Sequence, residues 1–137
     1  MRLKHIAIAY KDIGNMAYFL EKVLGLKAEK PIIDKEQNIN TLAFKADGSE
    51  IHLIEPISDI SPISNFLKKR GEGLHHIAVE VNNIDKIVEE MKKKGVHVIR
   101  EPKIEYDGSK IAFLDPKSAC NVLVELLKRN KVNLCIL

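Results

Sequence analysis

Four residues carry the chemistry that this sequence offers. His5 lies in Leu3-Lys4-His5-Ile6-Ala7-Ile8, His76 in Leu74-His75-His76-Ile77-Ala78-Val79, His52 in Ile51-His52-Leu53-Ile54 and Glu125 in Val124-Glu125-Leu126-Leu127. Imidazole nitrogens and carboxylate oxygens are the donors that divalent transition metals select. A lone strand histidine is ordinarily a hydrogen-bonded core residue or a surface one, so no one of these four is a site by itself. They occur, however, as two matched pairs. The stretches around His5 and His76 share Leu-x-His-Ile-Ala at an offset of 71 residues, and the stretch around His52 echoes the one around Glu125. Duplication of this kind relates paired positions by a pseudo-two-fold axis, which brings four ligand-type side chains from four strands to one divalent metal. Three imidazoles and one carboxylate make a nitrogen-rich site that favours Co, Ni or Zn, with Mn possible.

Strand alternation supports the same set. His5, Ala7 and Ala9 share one face and Ile6 and Ile8 the other, and His76, Ala78 and Glu80 repeat the first pattern. Small residues beside a histidine are expected to leave space for a metal and a substrate. His75 faces away from His76, and His97 lies in a polar stretch, so both read as structural or solvated. Glu80, on the His76 face near a strand end, reads as a supporting or substrate-facing acid. The run Lys68-Lys69-Arg70 reads most simply as a solvated helix end that complements the helix dipole, and alternatively as a phosphate-binding patch.

The elements that position these residues follow the duplication. Each copy opens with a strand, then an amphipathic helix with Ile13, Met16, Phe19, Leu20 and Val23 in the first and Ile84, Ile87, Val88 and Met91 in the second. Each helix stops at a glycine, Gly25 or Gly95, and the next strand leads to a proline, Pro31 or Pro102. Leu42-Ala43-Phe44 echoes Ile111-Ala112-Phe113, which completes two strand-helix-strand-strand-strand units, residues 1–56 and 73–128. A helical connector with Ile63, Phe66 and Leu67 on one face lies within 57–72, and residues 129–137 form a tail whose apolar end can pack on the body or on a second subunit.

Composition sets the wider frame. At 137 residues, 45% hydrophobic and 30% charged, the chain suits a single domain spanning 1–137. A net charge of +3 with acidic residues interspersed and only 5% aromatics gives no stacking platform for single-stranded nucleic acid. Cys120 and Cys135 are too few for a disulfide framework, the apolar run Ile6 to Tyr10 is too short for a signal peptide or a membrane span, and Cys135 stands third from the end, where prenylation needs it fourth. The expectation is a cytoplasmic protein with free thiols and no nucleic-acid or membrane partner.

With these residues identified, residues 3–128 resemble the methylmalonyl-CoA epimerases of the vicinal-oxygen-chelate, or glyoxalase, superfamily. The stretches Ser61-Pro62-Ile63-Ser64-Asn65-Phe66-Leu67 and Arg70-Gly71-Glu72-Gly73-Leu74-His75-His76-Ile77-Ala78-Val79-Glu80-Val81 are similar to that family's S-P-I-x-x-F-L and G-E-G-x-H-H-I-A-x-E-V. Lys110-Ile111-Ala112-Phe113-Leu114 and Val122-Leu123-Val124-Glu125-Leu126 match as well. The resemblance implies an α+β fold of two βαβββ repeats forming an open, cup-shaped sheet around a metal site, with His5, His52, His76 and Glu125 as ligands. It implies epimerisation of methylmalonyl-CoA by α-proton abstraction and enolate stabilisation, with Glu125 as a catalytic base, an acyl-CoA thioester as the small-molecule partner, and a homodimer. Alternatives on the same fold are a lactoylglutathione lyase type isomerase and a non-catalytic small-molecule binder. The chain departs from the family pattern at His52, where Gln or Glu is usual, at Asp115, where His is usual, and at Ile104-Glu105-Tyr106-Asp107-Gly108, which replaces I-G-A-H-G. An additional acid that some members carry on the third strand falls on Thr41.

Overall fold

In β1 (Arg2–Ala9) the small residues and the histidine are the buried ones: His5, Ala7 and Ala9 are buried while Ile6 and Ile8 are half-buried. The computed structural model describes residues 1–105 and 107–130, so most of the expected tail, with Cys135, lies outside the described residues. His5–His75 form one compact unit, and Met1–Lys4 with the residues from His76 onward form another. The first holds most of the first expected repeat and the second most of the second.

In the first unit β1 is followed by α1 (Gly14–Tyr18), which continues as a π-helical turn over Phe19–Val23, then by β2 (Lys27–Ala28), β3 (Ile32–Asp34), β4 (Ile39–Ala46) and β5 (Ser49–Pro56). β1 pairs parallel with β5, β5 pairs antiparallel with β4, and β2 and β3 both pair with β4. β3 is an addition to the expected order. Its residues are exposed along their whole length, so it carries no alternation to read. Ile13, Leu20, Phe44 and Leu53 form the core on the α1 side, joined by Ile8, Met16 and Ile51.

The other face of this unit corrects one expectation. α2 (Pro62–Arg70) lays Ile63 and Leu67 against Ala7, Ala9 and Ile54. Ala7 and Ala9 are 0% exposed, so they do not hold space open for a ligand; having no side chain beyond Cβ, they admit a helix at close range. The Ser-Pro-Ile-Ser motif is the start of that helix. Ser61 caps it by accepting a hydrogen bond from the Ile63 amide at 3.2 Å, Pro62 occupies the first turn, and the Ser64 hydroxyl donates to the Ser58 carbonyl at 2.8 Å. Lys68, Lys69 and Arg70 are exposed in the last turn, at the negative end of the helix dipole.

The second unit runs β6 (Gly73–Glu80), α3 (Ile84–Lys93), β7 (Val98–Ile104), β8 (Lys110–Leu114), a 3-10 turn at Pro116–Ala119 and β9 (Leu123–Lys128). β6 pairs parallel with β9, and β9, β8 and β7 follow antiparallel. The Asn83 side chain accepts from the Lys86 amide to start α3, and Gly95 turns the chain after it with φ +87°. Val81, Ile84, Val88, Ala112, Leu114 and Leu126 make the core between α3 and its sheet.

Because α2 is a structural member of the first unit, Ile63→Ala is expected to cost about 2–5 kcal/mol. The loss is read as a lower urea midpoint at unchanged denaturant slope.

Candidate active site

In the first unit the parallel register sets His5 opposite Glu50 and Ala7 opposite His52. Residues two apart on a strand share a face, so His5, Glu50 and His52 project together. The His5 and His52 rings stack with centroids 3.9 Å apart and planes 12° from parallel. Glu50 Oε1 lies 2.9 Å from His52 Nε2. The carboxylate therefore fixes the His52 ring and occupies Nε2, so the nitrogen His52 presents to any other group is Nδ1. Glu50 stands outside the sequence-expected set, and its position two residues before His52 is the signal that identifies it. Thr41, opposite Ile54, shares this face.

In the second unit β6 and β9 do the same. Ala78 is opposite Glu125 and His76 opposite Leu123, which places His76 and Glu125 on one face with Nε2 and Oε1 4.0 Å apart. Two donors sharing one ion at bonds near 2.1 Å are separated by about 3.4 Å in tetrahedral geometry, so a small closure brings this pair onto a common metal. The donor set fits that use: Glu125 is 8% exposed, and its removal from water pushes its pKa from the ordinary 4.5 up to about 7. Arg100 opposes that rise and Glu105 adds to it. A buried carboxylate whose charge is penalised by desolvation gains most from a cation beside it.

Other expected residues fall into simpler roles. Glu80 is ion-paired with Arg2 at 3.9 Å and with Arg129. His75 meets the Phe66 ring edge-on at 4.8 Å, and burial lowers its pKa, as suits a packed neutral ring. His97 is exposed, and its Nδ1 lies 2.9 Å from Asp115 Oδ2; that hydrogen bond holds the Asp115 carboxyl below its usual range. Cys120 is a free, exposed thiol. No helix among the described residues is long and apolar enough to cross a membrane.

Comparison with known proteins places this arrangement. Residues 4–113 match the Glyoxalase/Bleomycin resistance protein/Dioxygenase superfamily, and the mixed sheet with its few helices is that superfamily's fold. The human mitochondrial methylmalonyl-CoA epimerase is 35% identical over 91% of this chain and 72% of its own length. The ethylmalonyl-CoA/methylmalonyl-CoA epimerase of Cereibacter sphaeroides is 34% identical over 91% of this chain and 96% of its own. A variant Streptomyces coelicolor methylmalonyl-CoA epimerase, solved in complex with 2-nitronate-propionyl-CoA, superposes with a TM-score of 0.82 at 32% identity and 96% coverage of each chain. This chain belongs to the methylmalonyl-CoA epimerase family.

The raised pKa of Glu125 makes a stability prediction. Between pH 4.5 and about 7 the folded chain holds a proton on Glu125 that the unfolded chain has released, so stability falls as pH rises through that window. The full span corresponds to about 3 kcal/mol as an order of magnitude. With chelator present, Glu125→Gln is expected to be the more stable protein at pH 8, and the gap should close as pH falls to the ordinary carboxylate value. Urea titrations across that range check it; a gap that does not vary with pH would contradict the desolvation of Glu125.

Proposed function

We propose that this chain epimerises methylmalonyl-CoA, with one divalent ion held by His5, His76 and Glu125 and with His52 as a fourth donor. The observation that carries the reading is that kinship to methylmalonyl-CoA epimerases spans 91% of the chain. When bound, the ion contributes positive charge where the enolate's negative charge develops.

The chain's own residues supply the rest. Glu125 is the base: its burial raises its proton affinity, and beside the ion it is held as the carboxylate that can take the α-proton from one face, a second proton donor returning it on the other. Its burial keeps competing water from the carboxylate oxygen. His76, on the same face, orients it. Glu50 orients His52 through Nε2 and leaves Nδ1 for the ion. Glu80 is occupied by two arginines, which favours a positioning role for it over that of a second base. The protein is expected to work as a homodimer.

Incubation with methylmalonyl-CoA in deuterated water tests the reading by NMR. The α-proton should wash out with the protein present, chelation should abolish the exchange, and Glu125→Gln should reduce it by about a hundred-fold or more. Absence of exchange with methylmalonyl-CoA, alongside turnover of the methylglyoxal–glutathione adduct, would move the reading to a lactoylglutathione lyase type isomerase.

His52 gives a separate test. His52→Gln should keep measurable activity while weakening Ni and Zn relative to Mn, because it trades an imidazole for an amide oxygen. His52→Leu should lose metal affinity sharply. If metal titration finds both variants equal to the parent for every ion, His52 does not ligate.

A further inference from the structure

One charged pair on the Glu125 face has no part in the chemistry above. On β7, Arg100 lies opposite Phe113 of β8, and Phe113 lies opposite Glu125 of β9. Directly opposed residues share a face, so Arg100 stands on the same face as Glu125, about 10 Å away along the backbone at ordinary strand spacing. The β7–β8 register shifts on both sides of Arg100, the kind of irregularity that re-aims a side chain. Its guanidinium carbon sits 5.7 Å from the centroid of Phe113, the ring beside Glu125. Its terminal nitrogen is ion-paired with Glu105, and the two side chains are 34% and 30% exposed.

Glu105 is held by a turn built to close. Its amide donates to the Ser109 carbonyl at 2.8 Å, and its carbonyl accepts from the Gly108 amide at 2.9 Å. Asp107 Oδ1 accepts from both the amide and the hydroxyl of Ser109. Gly108 has φ +86°, a conformation that favours glycine, and it packs against the Asn130 side chain. This turn falls in the Ile104–Gly108 stretch where the chain departs from its family.

We propose that Arg100 is the specificity-determining anchor for the free carboxylate of the acyl group, and that Glu105 is a counter-ion that keeps the guanidinium aligned until the substrate's carboxylate joins it. The inference rests on the acyl-CoA reading above. A guanidinium presents five donors in a plane, so it holds one carboxylate and accepts a second on its remaining edge. Such a group suits the chemistry, because withdrawing the α-proton places negative charge next to a carboxylate already present, and a fixed cation adds to the ion in offsetting that repulsion. A neutral acyl group makes no such demand. No bond is made or broken at Arg100.

The test is calorimetric binding of malonyl-CoA, which carries the carboxylate, and acetyl-CoA, which does not, to the purified protein supplied with divalent cobalt. Parent and Glu105→Gln should both prefer malonyl-CoA. Arg100→Gln alone leaves Glu105 to repel the ligand, so the informative variant is the double change Arg100→Gln with Glu105→Gln. It should bind acetyl-CoA as the parent does, which also reports that it is folded, and bind malonyl-CoA about ten- to a hundred-fold more weakly. A double variant that keeps the parent's preference overturns the proposal, as does equal loss for both thioesters or a parent with no preference. A parent that binds neither thioester removes the acyl-CoA reading itself and the anchor with it.

Discussion

Parallel pairing of the strand that opens each repeat with the strand that closes it is the constraint on which the rest depends. β1 on β5 puts His5 and His52 on one face, and β6 on β9 does the same for His76 and Glu125. Parallel neighbours cannot be joined by a tight turn, so each repeat must carry a helix and further strands between its two donors. Those intervening elements cover the opposite face, with Leu20 and Phe44 in one unit and Ile84 and Val88 in the other. A slip of one residue in either register would turn the donors into the helix-packed core and the core residues out of it. The hydrophobic packing that stabilises each unit is therefore also what aims the donors.

Electrostatics sets the second condition. A carboxylate as buried as Glu125 is costly in its charged form, and of the charges near it Arg100 favours that form while Glu105 opposes it. The result, without an ion, is a group of raised proton affinity, and a cation beside it is what makes its carboxylate form available as a base. Glu50 does the reverse for His52, fixing one ring nitrogen and with it the tautomer.

Much of this is legible in the amino-acid order alone. The Leu-x-His-Ile-Ala repeat, the stop glycines at Gly25 and Gly95 and the matched prolines define the order of elements, because each signal is local and recurs at a fixed offset. What is not legible depends on contacts distant in sequence. Ala7 and Ala9 are equally consistent with an open cavity and with a closely docked helix, and only the position of α2 decides between them. β3 has no buried face and hence no pattern. Arg100 and Glu105 lie in an irregular stretch of strand and turn, where period-two reasoning does not say which way a side chain points.

The Ile104–Gly108 stretch is where the sequence departs from the family's I-G-A-H-G pattern, and its place in a turn gives that departure a physical reason. Donors on the paired central strands are fixed by register, so they can change type, as at His52, without moving. A turn such as Glu105–Ser109 is held by its own hydrogen bonds and by a glycine packed on Asn130, so it can exchange charge without disturbing the sheet. Selectivity among thioesters that share one proton-transfer chemistry therefore belongs at the edge of the Glu125 face, where a cation on a bulged strand can be retuned by its neighbour. The central strands, whose register aims the proton-transfer groups, are left unaltered by that change.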